Sequence, residues 1–217
     1  MTDVSIFVGG ITRLPESGSL TGIYKRMVSE PLQLGHEGFA GDQQADRRFH
    51  GGPDKAVHLY SARHYATLAQ QFPHAAAQLV AGSLGENLST AGLDETMVRI
   101  GEVWQLGDAQ LQVCQPRNPC WKIDERFGCD GMAAFIARSL LTGWYLRVVR
   151  PGMVKPGDTL DLLEPAVGAP TLHEALALWR EHRPSPDALE RLAATPGIAG
   201  EWRDKIKRRV VGLRRLA

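Results

Sequence analysis

Cys120 lies in the stretch QPRNPCWKI, residues 115–123. Pro116 and Pro119 fix the backbone φ angle around a short turn and lower the entropy cost of holding it. Arg117 precedes the thiol and Lys122 follows it. Cations that reach a thiol favour the thiolate, and a thiolate is a soft ligand that selects soft metal centres. A small hydrophobe buried in a structural turn explains the same residues. The residues alone leave both readings open. Cys114 falls in a strand pattern and Cys129 in a glycine-rich loop, and both read as structural.

A second constellation is GFAGDQQADRRFHGGPDKAVHLY, residues 38–60. His50, Gly51 and Gly52 followed by Lys55 set permissive backbone beside a cation. Successive N–H groups there can converge on an anion, and the lysine adds a point charge. Gly-Gly-Pro is also common turn chemistry, and spacing alone favours a tight turn entering a strand. In GSLGENLST, residues 82–90, Glu86 and Asn87 either hydrogen-bond an amide-rich heterocycle or cap the following segment. Arg147 in WYLRVV is either an outward, solvated strand residue or an inward one that grips a phosphate with both arms. Seven Lys/Arg follow from Arg203 onward, facing only Asp204, and read as a solvated helix face.

The elements that must carry these residues are mostly short strands. Val4, Ile6 and Val8 alternate with Ser5 and Phe7, and GIYKRMVSE alternates again with Ile23, Lys25 and Met27 on one face. KAVHLY, MVRIGEVWQLGDAQLQVCQP, WYLRVVRPG and DTLDLLE continue the pattern, with glycine turns between them, as in a barrel or sandwich. SARHYATLAQQF reads as a helix capped by Ser61, and AAAQLV extends or follows it. GMAAFIARSLLTG reads as a second helix ending at Gly143. Composition shifts at residues 164–170. Beyond it, Thr171 and Glu174 form a capping box, Ser185 and Pro186 open another helix, and Trp202 and Ile206 share the face of a third. The expected organisation is a mainly β domain with flanking helices over 1–165, then a small three-helix unit over 171–217. Its stripes are too short for an independent core, so they must pack on one another and on the barrel.

With 217 residues, 43% of them apolar, a sizeable core is available, and a net charge of +1 implies no bulk preference for nucleic acid or membrane. The start MTDVSIFVGG has neither a basic nor a long apolar region, so no signal peptide is expected. No apolar run of membrane-spanning length occurs. Three cysteines without a C-x-x-C pair support neither a disulfide framework nor a zinc cluster, and a cytoplasmic protein with free thiols is expected.

Together, GFAGDQQADRRFHGGPDKAVHLY, GENLST and QPRNPCWKI resemble the MOSC family, related to the C-terminal part of molybdenum cofactor sulfurases, and within it the bacterial YiiM-type branch with a three-helix C-terminal extension. The resemblance covers nearly the whole chain. It implies a β-barrel-like core and a molybdenum cofactor, a pterin dithiolene carrying a phosphate (molybdopterin). Cys120 resembles the family's molybdenum ligand, and His50, Gly51 and Gly52 fall on its His-Gly-Gly stretch. Convergence of the segments around that metal places Lys55, Asn87, Arg117 and Arg147 at the cofactor, the cations at its phosphate. The implied activity is reduction of N-hydroxylated compounds such as 6-hydroxylaminopurine. Three cysteines cannot supply a Cys₄ iron–sulfur cluster, so the electrons come from a separate reductase. A cofactor carrier, or a sulfur carrier with a persulfide on Cys120, are the alternatives.

Overall fold

A computed structural model of the chain describes residues 1–46 and 51–215. The strands are β1 (Thr2–Asp3), β2 (Ser5–Val8), β3 (Thr12–Arg13), β4 (Leu20–Thr21), β5 (Arg26–Met27), β6 (Leu32–Gly35), β7 (Gly38–Phe39), β8 (Val57–Ser61), β9 (Leu88–Thr90), β10 (Val103–Leu106), β11 (Ala109–Pro116), β12 (Trp144–Arg150), β13 (Gly152–Val154) and β14 (Thr159–Glu164). Among the described residues, nine of them form one sheet in the order β1-β14-β10-β11-β12-β8-β9-β2-β5, curled into half a barrel. All pairs in it are antiparallel except β8 with β9. The helices are α1 (His64–Gln71), α2 (Lys122–Phe127), α3 (Met132–Arg138), α4 (Leu172–Arg180), α5 (Pro186–Ala193) and α6 (Gly200–Arg214).

Strand β11 shows how alternation becomes a site. Ala109, Leu111 and Val113 point into the core, while Gln110 and Gln112 are half-buried. Burial of a large aliphatic side chain is worth roughly 1.5–3 kcal/mol, so this register is strongly fixed. Val113 pairs with Leu146 and Gln115 with Tyr145, leaving Cys114 as an extra residue, a bulge. The carbonyl of Cys114, freed from the ladder, accepts from Ala199 N at 2.9 Å, at the start of α6. Beyond the bulge the chain leaves the sheet and enters the Cys120 turn.

The buried apolar residues form two clusters. One fills the curl of the sheet and takes in Leu172, Leu189, Leu192, Trp202, Ile206 and Val210 from α4, α5 and α6. The other, under α1, α2 and α3, contains Tyr60, Leu68, Ile123, Phe127, Met132 and Ile136. The three C-terminal helices thus bury their stripes in the barrel's own core, as their shortness requires. Thr171 and Glu174 form the expected capping box, and Ser185 caps α5 with Pro186 in its first turn.

Three local expectations need correction. Ser61 belongs to β8, and α1 starts at His64 without a side-chain cap. Ile23, Lys25 and Met27 share no sheet face: the strand spans only Arg26–Met27, Met27 is exposed, and the Lys25 side chain is buried in an ion pair. Gly143 does not end α3. Leu140 takes the left-handed conformation there (φ 59°), and Leu141 N closes the turn on the Ile136 carbonyl at 3.2 Å. Gly143 instead leads into β12, where a Cβ would lie 2.5 Å from the Leu59 carbonyl oxygen and 2.9 Å from His58 Nε2. Contact that close between β12 and β8 is why a glycine sits there.

Candidate functional site

The Cys120 turn forms a wall between two cavities. The inner one, about 90 Å³, lies against Ile23, Lys25, Asp42, Lys55, His58 and Asn87. The outer one, about 590 Å³, opens between the turn and helices α4 and α6. Lys55, Arg117, Cys120, Lys122 and Tyr145 line both. Cys120 is half-buried and free, and its carbonyl accepts from Ile123 N as α2 begins. The thiol is thereby held between a bulged strand and a helix start.

The inner chamber is cationic. Lys25, Lys55, Arg117 and Lys122 face one carboxylate, Asp42. Lys25 Nζ lies 2.5 Å from Asp42 Oδ1, with the side chains only 4% and 2% exposed. Burial lowers the lysine's pKa, and Asp42 works against that shift. Lys55 Nζ reaches Glu201 Oε2 of α6 at 2.7 Å, and Lys122 Nζ donates to the Leu20 carbonyl at 2.7 Å. Arg117 is buried, with Nη2 donating to the Leu84 carbonyl at 3.2 Å, and its Nη1 has no well-formed hydrogen bond among the described residues. Burial, and then the Arg117 charge, push His58 well below the ordinary imidazole value, so it is neutral. Burial raises the Tyr145 pKa and keeps its phenol protonated.

Four of the residues read from the sequence therefore meet here: Cys120, Arg117, Lys55 and Asn87. Asn87 lines the chamber with its side-chain amide engaged by the protein itself. Nδ2 donates to Phe7 O at 3.2 Å and Asp42 Oδ2 at 3.0 Å, and Oδ1 accepts from His58 N at 3.1 Å. It braces the chamber wall. Glu86, the other half of that pair, accepts from Tyr65 Oη, Gly82 N and Leu84 N, which makes it a buried cap. Gly52, at φ 94°, opens the 3₁₀ turn Pro53–Lys55 that presents Lys55, and neither Gly51 nor Gly52 lines either cavity. His50 lies outside the described residues.

Arg147 does not reach the chamber. Nε and Nη2 bind Asp54 Oδ1 at 2.9 Å each and Nη1 binds Gln112 Oε1 at 3.1 Å. Asp54 Oδ2 accepts from Gly200 N at 3.0 Å, so the arginine fastens the carboxylate that caps α6. Cys114 is buried with its pKa pushed up to about 12 by burial, and Cys129 packs beside the second cluster. Lys25, Asp42, His58 and Tyr145 were not singled out from the sequence. His58 and Asp42 lie within the 38–60 stretch, which is the signal that pointed nearest to them; Lys25 and Tyr145 carry none.

The sequence profile of the MOSC domain matches residues 46–161. Protein YiiM of Escherichia coli (strain K12) is 38% identical over 212 residues, 96% of this chain and 93% of that protein. The crystal structure of YiiM from Escherichia coli superposes with a TM-score of 0.82 at 30% identity, covering 97% of this chain and 92% of that one. A protein named "Reductase" from Gibberella moniliformis (strain M3125 / FGSC 7600) is 34% identical over 163 residues, 74% of this chain but 29% of that longer protein. Among the described residues no helix is long and apolar enough to cross a membrane, and no cluster of His, Cys, Asp and Glu could hold a metal by itself.

Proposed function

The chain belongs to the MOSC family, and on that footing we propose that it holds a molybdenum–pterin cofactor through Cys120 and reduces N-hydroxylated compounds such as 6-hydroxylaminopurine. The observation that carries the reading is the half-buried thiol on the wall shared by a cationic chamber and an open cleft. The donor set suits the group. One soft sulfur fits a soft metal centre that brings most of its own ligands. The excess of Lys and Arg fits a phosphate. The resemblance to a protein named "Reductase" supports the reaction class.

When bound, the cofactor supplies the two-electron chemistry of N–O reduction, in which R–NHOH takes up two electrons and two protons to give R–NH₂ and water. The chain's own residues do the rest. Cys120 Sγ would hold the metal from the wall that the two cavities share. Arg117, Lys55 and Lys122 offset anionic charge at the inner wall. His58, kept neutral, adds no further charge, and Tyr145 Oη remains a neutral hydrogen-bond donor at the shared wall. Electrons arrive from a separate reductase. Protein made in a cofactor-competent host and given an artificial reductant is expected to convert 6-hydroxylaminopurine to adenine. Cofactor-replete protein that yields no adenine contradicts the proposal and favours a carrier.

A further inference from the structure

The hydrogen bonds that hold Arg117 lead back to a buried acid outside either cavity. Arg117 N donates to the Gly143 carbonyl at 3.0 Å, just beyond the end of the β11–β12 ladder at the pair of Pro116 with Trp144. The Gly143 N–H goes to a side chain: Glu95 Oε1 accepts from it at 2.7 Å. The other carboxylate oxygen, Oε2, lies 2.6 Å from His64 Nε2 at the start of α1. The Glu95 carbonyl accepts from His173 N of α4 at 2.8 Å. One residue thus joins α1, α4 and the entry to β12. It is 2% exposed and lines neither the inner chamber nor the outer cleft.

A buried carboxylate is costly unless its oxygens are satisfied, and here one oxygen is spent on a single peptide N–H. That peptide belongs to a glycine at φ 68°, the residue type with the most backbone freedom. Its carbonyl faces Arg117 N, and its Cα packs against His58, which lines the chamber. Arg117 Nη2 donates to the Leu84 carbonyl, while Nη1 has no well-formed hydrogen bond among the described residues and is the arm open to an anion. A side chain that meets a ligand keeps its aim only when a supporting shell fixes the backbone it grows from.

We propose that Glu95 is a positioning residue: through Gly143 it fixes the Arg117 main chain, and so the direction in which the guanidinium meets an anion in the inner chamber. The inference deepens the functional proposal above and rests on it for the identity of that anion, the cofactor's phosphate.

Binding of inorganic phosphate to cofactor-free protein, measured by calorimetry at low ionic strength, tests this apart from turnover. Wild type is expected to bind. Arg117→Ala loses a charge-assisted hydrogen bond and should weaken phosphate about 10- to 150-fold. Glu95→Ala is expected to fall within that range, although Glu95 lines neither cavity. The double variant separates positioning from general loosening. If Glu95 acts through Arg117, Glu95→Ala adds nothing in the Arg117→Ala background, whereas a loosened fold adds its own loss. Glu95→Gln keeps an acceptor for Gly143 N and should bind as wild type does. Glu95→Asp retains the charge but is one methylene too short to reach both Gly143 N and His64 Nε2. It should weaken phosphate, and it is the variant to read if Glu95→Ala does not fold. Wild-type affinity in Glu95→Ala or Glu95→Asp, a Glu95→Gln protein as weak as Glu95→Ala, or losses that add in the double variant overturns the positioning role and leaves the cofactor reading standing. Wild type that binds no phosphate, or Arg117→Ala that binds like wild type, overturns the anion pocket and the part of Glu95 in it. The predicted losses in a protein inactive as a reductase would keep the positioning role and remove the reduction.

Discussion

Asp42→Ala removes the counter-charge of Lys25 from the wall of the inner chamber. The two side chains are 4% and 2% exposed with Nζ and Oδ1 2.5 Å apart, so the ammonium is left in a site with almost no water. Breaking a buried ion pair by deleting one partner costs about 3–5 kcal/mol. The same carboxylate accepts from Gly9 N at 2.9 Å and Asn87 Nδ2 at 3.0 Å. Losing those neutral partners adds roughly 0.5–1.5 kcal/mol each. The sum, about 4–8 kcal/mol, is a large share of the roughly 5–15 kcal/mol that stabilises an ordinary domain. Lys25→Met in the Asp42→Ala background removes the stranded charge and should recover about 2 kcal/mol or more, a coupling of the size neighbouring residues show. The pH dependence has a definite sign. With the Lys25 pKa below its unfolded value of about 10.5, the unfolded chain binds more protons between the two values, so wild-type stability gains from this group as pH rises through that window. Urea denaturation of the wild type, both single variants and the double variant measures all of this. A loss below about 1 kcal/mol for Asp42→Ala would refute the buried pair and the dry chamber wall with it.

Two further outcomes follow from local features. The Glu201 pKa is lowered to about 2, first by its hydrogen bond to Lys205 and then by Lys55, so its contribution is present above pH 4.5 and fades as pH falls toward 2. Because that carboxylate is about half exposed, Glu201→Gln should cost only about 0.5–1 kcal/mol at pH 7, and thermal melts should show the difference vanishing at the acid end. Leu140→Gly relieves a left-handed backbone at φ 59° and should stabilise by about 0.5–1 kcal/mol after the lost packing, read as an upward shift of the urea midpoint. A downward shift would mean that the leucine's contacts outweigh its strain.

Local signals carried much of the fold. Alternation in Leu111 and Val113 against Gln110 and Gln112 identifies β11 because one face is dry. The caps at Thr171 and Ser185 announce α4 and α5 because a side chain three residues away closes each first turn. What local pattern misses is set by distant partners. Lys25 looks like a strand residue until Asp42 is placed against it. Asn87 looks like a ligand-binding amide until Phe7 and Asp42 take its hydrogens, and Arg147 looks like a phosphate grip until Asp54 takes its guanidinium. Helix α2 spans only Lys122–Phe127 and directly follows a proline-rich turn, too short for a period to register. Cys120, Arg117 and Lys55 stood out as candidates from their neighbours in sequence, and the fold brings them to one chamber. The outer cleft was not, because its walls come from the turn, α4 and α6 and meet only in the folded chain.

The central claim is that Cys120 Sγ is a ligand of molybdenum. X-ray absorption at the molybdenum edge addresses it directly, on wild type and Cys120→Ser protein each loaded with excess cofactor. The account predicts one sulfur more around the metal in wild type than in the variant, with the far-ultraviolet dichroism of the two unchanged. The same number of sulfurs in both proteins would contradict it.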